Sequence, residues 1–187
     1  MTLEDMKKKY LSLIEEVNPK SEQLTDDPDL AAKQNEVVNQ IMFELVRLKK
    51  IPKYVEMEVR KGDLIDFAAI EKECGYEVYQ INLVSGVNYT PRANGTILKI
   101  LESGTAEIDV FVYPERITEK TKDKAYEFEL SADALEIMPY GVAADLLKSD
   151  VSAEYGSVYA TRYESMIQRL DPRNAMTSIY ISGGVNI

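Results

Sequence analysis

The chain has 187 residues, of which 45% are hydrophobic and 29% are charged, and its formal net charge at pH 7 is -10. These fractions are those of an ordinary globular protein, and the length suits one domain or a domain with an insertion. The chain has no histidine and a single cysteine. This excludes the usual general base, every Ser/His or Cys/His nucleophile pair, a thiolate metal cluster and an intrachain disulfide.

The chemistry that remains rests on 32 carboxylates, and the sequence gives them no geometry. Asp27-Pro28-Asp29 imitates the Asp-x-Asp of some sugar-transfer sites, but helix capping explains it. No glycine-rich phosphate loop is found. We therefore predict a protein that is not an enzyme and that uses no cofactor or metal. An acidic surface repels nucleic acid on average, so we expect no reading of DNA sequence.

A membrane role is not expected either, because no window approaches the roughly 20 apolar residues that span a bilayer. The N-terminus, MTLEDMKKKYLSLIEE, is amphipathic and unlike a signal peptide. We expect synthesis in the cytoplasm.

The first predicted elements are two helices. Thr2 and Asp5 are a capping pair for an amphipathic helix that ends at Asn18-Pro19. Asp27-Pro28 then provides an N-cap with proline in the first helical position. From there, apolar spacings of three and four predict a helix that reaches Lys49-Lys50 and is stopped by Pro52.

Between Lys53 and Glu129 the apolar pattern alternates, which predicts antiparallel strands. The strongest hairpin signal is Ala93-Asn94-Gly95-Thr96, and Ser103-Gly104-Thr105 predicts a second turn of the same kind. The segment Asp66 to Cys74 is compatible with either a short helix or a loop. The predicted strands contain Val55 to Val59, Tyr76 to Val84, Ile97 to Leu101 and Ile108 to Val112.

A helical hairpin is predicted after Ser131, which is a candidate N-cap. Pro139 lies inside the first helix, and because the apolar spacing keeps its phase across it, we predict a kink and not a break. A short polar turn follows, and Asp171-Pro172 ends the second helix. Gly141 and Gly156 predict that the two helix axes approach closely.

Tyrosines recur every four residues along the second helix, and in an acidic chain such a stripe is typical of a core or a subunit interface. Arg162 is predicted to pair with an acidic residue of a neighbour or to form a simple surface ion pair. The predicted subunit interface therefore comprises Tyr155, Tyr159, Tyr163, Arg162 and Pro139.

The tail from Asn174 to Ile187 has few charges and strand composition near Ile179, with no later strand in sequence to pair with it. We predict an extended arm that adds a strand to a neighbouring protein. Its binding side chains are predicted to be Met176, Ile179, Tyr180, Ile181, Val185 and Ile187.

Together these elements predict an α+β fold, in which N- and C-terminal helices form a helical bundle with an inserted antiparallel β-sandwich-like module and an extended C-terminal arm. The predicted segments are 1–52 for the first helices, 53–129 for the β module, 130–173 for the helical hairpin and 174–187 for the arm.

The hairpin also carries a resemblance to a known family. Its matching pieces are Met138-Pro139-Tyr140-Gly141-Val142-Ala143-Ala144, Leu146-Leu147-Lys148-Ser149-Asp150, Tyr159-Ala160-x-Arg162-Tyr163 and Leu170-Asp171-Pro172-Arg173. Over these sixty-odd C-terminal residues the chain resembles the head-tail adaptor proteins of tailed bacteriophages, also called connector or head-completion proteins. It resembles them only in layout before that.

The resemblance implies a structural virion protein of the phage neck, made in the host cytoplasm. It implies a homo-oligomeric ring of twelve copies that joins the portal protein to a tail-side neck or stopper protein, with DNA passing through the lumen without sequence readout. An acidic wall would keep DNA from sticking there. The family has no catalytic motif.

Two other classes of function stay open at this point. One is a β-sandwich ligand- or sugar-binding accessory module on a helical stem, of the baseplate type, which an exposed aromatic pocket between Tyr76 and Tyr113 would favour. The other is a carboxylate-dependent hydrolase, which a cleft with two close acids and raised pKa values would favour.

Overall fold

The computed structural model describes residues 1–148 and 153–170. Over these residues the chain has the predicted α+β fold, with helices at both ends of a stretch of antiparallel strands. The helices are α1 (Leu3–Leu13), α2 (Pro28–Leu48), α3 (Phe67–Cys74), α4 (Ala132–Leu146) and α5 (Ala153–Leu170). The strands are β1 (Ile51–Val59), β2 (Leu64–Asp66), β3 (Val78–Ser85), β4 (Tyr89–Arg92), β5 (Ile97–Ile100) and β6 (Gly104–Val112).

The chain divides into two compact units. The first unit comprises Met1–Leu3 and Met42–Leu130, and it contains all the strands that the structure describes. The second unit comprises Glu4–Ile41 and the described part of Ser131–Ile187, and it is helical. The four predicted segments and the predicted kink at Pro139 stay predictions.

The first unit contains two three-stranded antiparallel sheets, ordered β1-β6-β3 and β2-β5-β4. No closed barrel is formed by the strands in the described part of the chain. The central strand β6 alternates, so that Ala106, Ile108, Val110 and Val112 are fully buried. Its other side chains, among them Glu107 and Asp109, lie on the opposite face.

The turn signals predict one hairpin correctly and one incorrectly. β4 and β5 form the hairpin predicted around Asn94, where Ala93, Asn94 and Gly95 all have positive φ. The second predicted turn, at Ser103-Gly104, does not pair β5 with β6. These strands lie in different sheets, because β6 pairs along nine residues with β1 while the four-residue β5 lies between β2 and β4. A local turn signal identifies a reversal but not the pairing partner.

Two further positions correct or complete the sequence reading. Pro52 is not the residue that stops α2. The helix already ends at Leu48, and Pro52 is the second residue of β1. β1 is an edge strand, which tolerates a residue without an N–H donor. The undecided segment after Asp66 is the helix α3: the Asp66 carboxylate accepts a hydrogen bond from the Ala69 N–H at 2.9 Å, and Gly75 ends the helix at φ 76°.

Aromatic rings of the first unit pack on one another. Tyr79 lies 4.7 Å from Tyr113 and 6.4 Å from Phe111, measured between ring centroids. Cations cover the rings at the ends of this cluster: Lys50 lies 4.4 Å from the Phe111 centroid, and the Arg47 guanidinium lies 5.8 Å from that of Tyr113. The ring faces therefore contact other side chains of the same unit.

Two tyrosines of this unit are predicted to make its stability fall at alkaline pH. Burial raises the pKa of Tyr126 to about 12, with the charges of Glu115 and Glu129 adding to it. Burial also raises the pKa of Tyr79 to about 12. The folded state thus holds both protons more tightly than the unfolded chain, whose phenols titrate near pH 10. Their stabilising contribution is full below pH 10 and is lost as the pH rises towards 12.

Urea unfolding at pH 8 and at pH 11.5 checks this expectation. The midpoint should fall with pH in the wild-type chain and fall less in the double variant Tyr79→Phe with Tyr126→Phe. Tyr155→Phe, at a side chain that is 70% exposed, is the matched control and should keep the wild-type dependence. Equal falls in the double variant and the wild type would contradict the assignment.

The first two helices of the second unit are joined by a buried hydrogen bond. The fully buried Tyr10 of α1 donates a hydrogen bond from its hydroxyl to the Gln34 side chain of α2 at 2.9 Å. The Asp27 carboxylate accepts hydrogen bonds from the N–H groups of Asp29 and Leu30, so the predicted cap of α2 is confirmed. α4 runs without a break through Pro139.

Candidate subunit interface

The predicted close approach of the two C-terminal helices is confirmed by their glycines. A Cβ atom on Gly141 would lie 2.7 Å from the ring of Tyr163, and one on Gly156 would lie 3.2 Å from the Leu147 Cβ. Since residue 141 meets 163 while 147 meets 156, α4 and α5 run antiparallel. No side chain larger than hydrogen fits at Gly141 without movement of the Tyr163 ring.

The three tyrosines of α5 have three different environments. Tyr163 is buried, with 8% of its side chain exposed, against Gly141 of the same chain. Tyr159 is half-buried and donates its hydroxyl proton to the Leu13 carbonyl of α1. Tyr155 is 70% exposed, and Val158, one turn further along, is 62% exposed. The exposed apolar surface of α5 thus lies in its first two turns.

Within the described part of the chain Arg162 forms no surface ion pair, and its predicted pairing with an acidic residue of a neighbour stays a prediction. Its guanidinium lies 4.3 Å from the ring centroid of Tyr140, and its side chain is exposed. The cation is therefore held over an aromatic ring with its charge facing outward.

A groove of about 620 Å³ lies between α1, α4 and α5, and we call it the cationic groove. Leu13, Pro139 and Met166 give it an apolar lining. It brings together two of the predicted interface residues, Pro139 and Arg162. Pro139 is buried at its wall, whereas Tyr155 and Tyr159 are not among its lining residues.

The charges of the cationic groove are opposite in sign to those of the whole chain. Lys8, Lys9 and Arg162 line it together with one carboxylate, that of Glu136. A side-chain hydrogen bond from Lys8 to Glu4, at 2.6 Å, raises the pKa of Lys8 above its ordinary value. The groove therefore attracts negative charge in a chain whose net charge is -10.

A second hollow of about 590 Å³ continues the cationic groove along α5. The two share Arg162 and Met166, and the second adds Val158 and Arg169 to the lining. An apolar surface flanked by Lys9, Arg162 and Arg169 is suited to a protein partner with apolar and acidic side chains.

The lysines of α1 are the residues that sequence reasoning missed. The run Lys7-Lys8-Lys9 in an acidic chain was the available signal. It could not be used, because the sequence alone does not reveal which side of α1 meets α5. Lys7 is buried, while Lys8 and Lys9 line the groove.

The six predicted arm residues, from Met176 to Ile187, lie outside the residues that the structure describes. Within the described ranges, no group of three or more Asp, Glu or Cys side chains could hold a metal ion. No helix over those ranges combines the length and the apolar character that a membrane crossing requires.

Comparison with protein-family models gives no match to this chain, and comparison with curated proteins gives none. The resemblance to head-tail adaptors therefore rests on the C-terminal residues quoted above.

Proposed function

We propose that this chain is a structural protein of a tailed phage or prophage, and that copies of it form an adaptor ring between the portal and the tail. The observation that carries the proposal is the surface of the α4–α5 hairpin. Its helices carry the adaptor-like sequence, and α5 exposes Tyr155 and Val158, of which Val158 lines the hollow that continues the cationic groove. Exposed apolar side chains of this size, next to a concave charged surface, are typical of a protein-binding site.

The proposed ring has twelve copies and extends the DNA channel of the portal, with a tail-side neck or stopper protein on its other side. DNA passes through without sequence readout, which suits a chain with a net charge of -10. The proposed location is the neck of the virion, and the proposed role is not enzymatic.

The packed aromatic cluster around Tyr79 does not favour the sugar-binding alternative. A sugar-binding platform needs a free ring face, whereas Tyr79 packs on Tyr113 and Phe111, and Phe111 is covered by Lys50. The adaptor is therefore the one function that we propose.

The test is co-assembly with a portal ring, and the arm supplies the decisive variant. Removing residues 176–187 should leave the circular dichroism and melting temperature of the isolated protein nearly unchanged, because we propose that this segment binds a neighbour. The same deletion should abolish co-sedimentation with purified portal rings.

Negative-stain images of the same mixtures provide the control. Portal rings with an added layer of density are expected for the wild-type chain and bare portal rings for the deletion. An added layer formed equally well by the deleted chain would refute the role of the arm, and no added layer with the wild-type chain would refute the adaptor function.

A further inference from the structure

The outer face of the β1-β6-β3 sheet combines exposed apolar side chains with carboxylates. In the sheet register Asp109 lies between Tyr54 and Leu83, and each of these two apolar side chains is 56% exposed. In the next row of the same face, Glu107 lies between Glu56 and Ser85. Glu58, one row further, completes what we call the acidic sheet face.

The carboxylates of this face change the electrostatic environment of Tyr54. The Tyr54 hydroxyl donates a hydrogen bond to Glu56 at 2.8 Å. This bond, together with a desolvation contribution and the charges of Glu107, Glu56 and Asp109, raises the pKa of Tyr54 to about 12. Four carboxylates thus produce a negative field around two exposed apolar side chains.

We infer that the acidic sheet face of one copy docks on the cationic groove of the next copy, so that the ring is built from two different surfaces of the same chain. The inference rests on the proposed function and names the surfaces that its ring requires.

Charge complementarity between two surfaces of the same chain favours a second copy as the occupant. The groove and its continuation carry Lys9, Arg162 and Arg169, together with Lys8 paired to Glu4, against Glu136, while the acidic sheet face carries four carboxylates. Each surface also has apolar side chains, Leu13 and Met166 on one and Tyr54 and Leu83 on the other. Two unlike patches on one chain give a head-to-tail contact, which closes into a ring when the rotation between copies allows.

Charge reversal on each surface tests the pairing. The groove variant is Arg162→Glu with Arg169→Glu, and the face variant is Glu56→Lys with Glu107→Lys. These side chains are exposed, so folding should persist and is checked by circular dichroism and melting temperature. Each variant alone should associate on the order of tenfold more weakly or worse, measured by sedimentation velocity of the full chain.

Mixing the two variants separates this pairing from any general effect of charge. In an equimolar mixture the reversed groove of one variant can bind the reversed face of the other, and the two unchanged surfaces can bind as in the wild type. Alternating copies should therefore assemble again. The chain that carries all four substitutions should also assemble by itself. Glu73→Lys with Glu119→Lys makes the same change in net charge as the face variant, at exposed positions that belong to neither surface, and should assemble as the wild type does.

The outcomes distinguish this inference from the proposed function. Assembly of either single variant at wild-type strength, or failure of the mixture to assemble, overturns the pairing while the adaptor ring survives. Loss of assembly on removal of residues 176–187, with both charge variants unaffected, would assign the contact between copies to the arm and overturn the inference. A wild-type chain that stays monomeric with and without portal refutes the proposed function first.

If the face variant is found unfolded, Glu56→Gln with Glu107→Gln replaces it. It removes the charge and keeps the shape, and weaker association at low salt is then the expected result. Unchanged association would overturn the pairing.

Discussion

Gly141→Val is expected to destabilise the helical unit strongly, because Gly141 is buried against Tyr163. A Cβ at this position would lie 2.7, 2.9 and 3.0 Å from three atoms of the Tyr163 ring, and a rigid buried ring cannot yield as a flexible chain end can. Overpacking a core typically costs about 1–3 kcal/mol, and valine adds two methyl groups beyond the first clash. In a chain of this size we expect a fall in melting temperature of roughly 2–4 °C for each kcal/mol.

The matched control is Ala132→Val, which places the same side chain at an exposed position of the same helix. Only the propensity difference, below about 0.7 kcal/mol, should be lost there. Gly141→Ala combined with Tyr163→Leu should be no less stable than Tyr163→Leu alone, because removing the ring removes the clash. An unchanged melting temperature for Gly141→Val would show that α4 and α5 do not pack as described.

Tyr155→Glu with Val158→Glu is expected to abolish self-association without unfolding the chain. The two side chains are 70% and 62% exposed, so their replacement should change the free energy of unfolding by no more than about 0.5 kcal/mol. A charge placed in the apolar part of an interface must lose its hydration without a partner, which costs far more.

Ala68→Glu with Ala125→Glu adds the same charge at two exposed positions of the first unit and serves as the control. Sedimentation velocity should show the control associated and the α5 variant monomeric. Full association of the α5 variant would remove Tyr155 and Val158 from the interface and leave the exposed part of α5 without its proposed role.

Local signals in the sequence were sufficient where the physical cause is itself local. The cap at Asp27 and the hairpin at Asn94 depend on neighbouring backbone groups, and both were predicted. The close approach of the last two helices was predicted because a glycine has few other reasons to lie in a helix interior.

Features that depend on which distant residues meet were not predicted. The turn signal near Ser103 predicts a second hairpin, but long-range pairing places β6 between β1 and β3. The sequence does not distinguish helix from loop over α3 because eight residues carry too weak a period, and the Asp66 side-chain cap is seen only in the structure. The cationic groove needs α1 beside α5, and no spacing within one helix reports that neighbour.

The mass of the full chain in solution, alone and with purified portal rings, tests most directly whether copies of this protein associate as proposed. A ring of twelve copies of the 21.2 kDa chain would add about 254 kDa, free or on the portal, in native mass spectrometry. A mass of 21.2 kDa in both samples, with the portal mass unchanged, would contradict it.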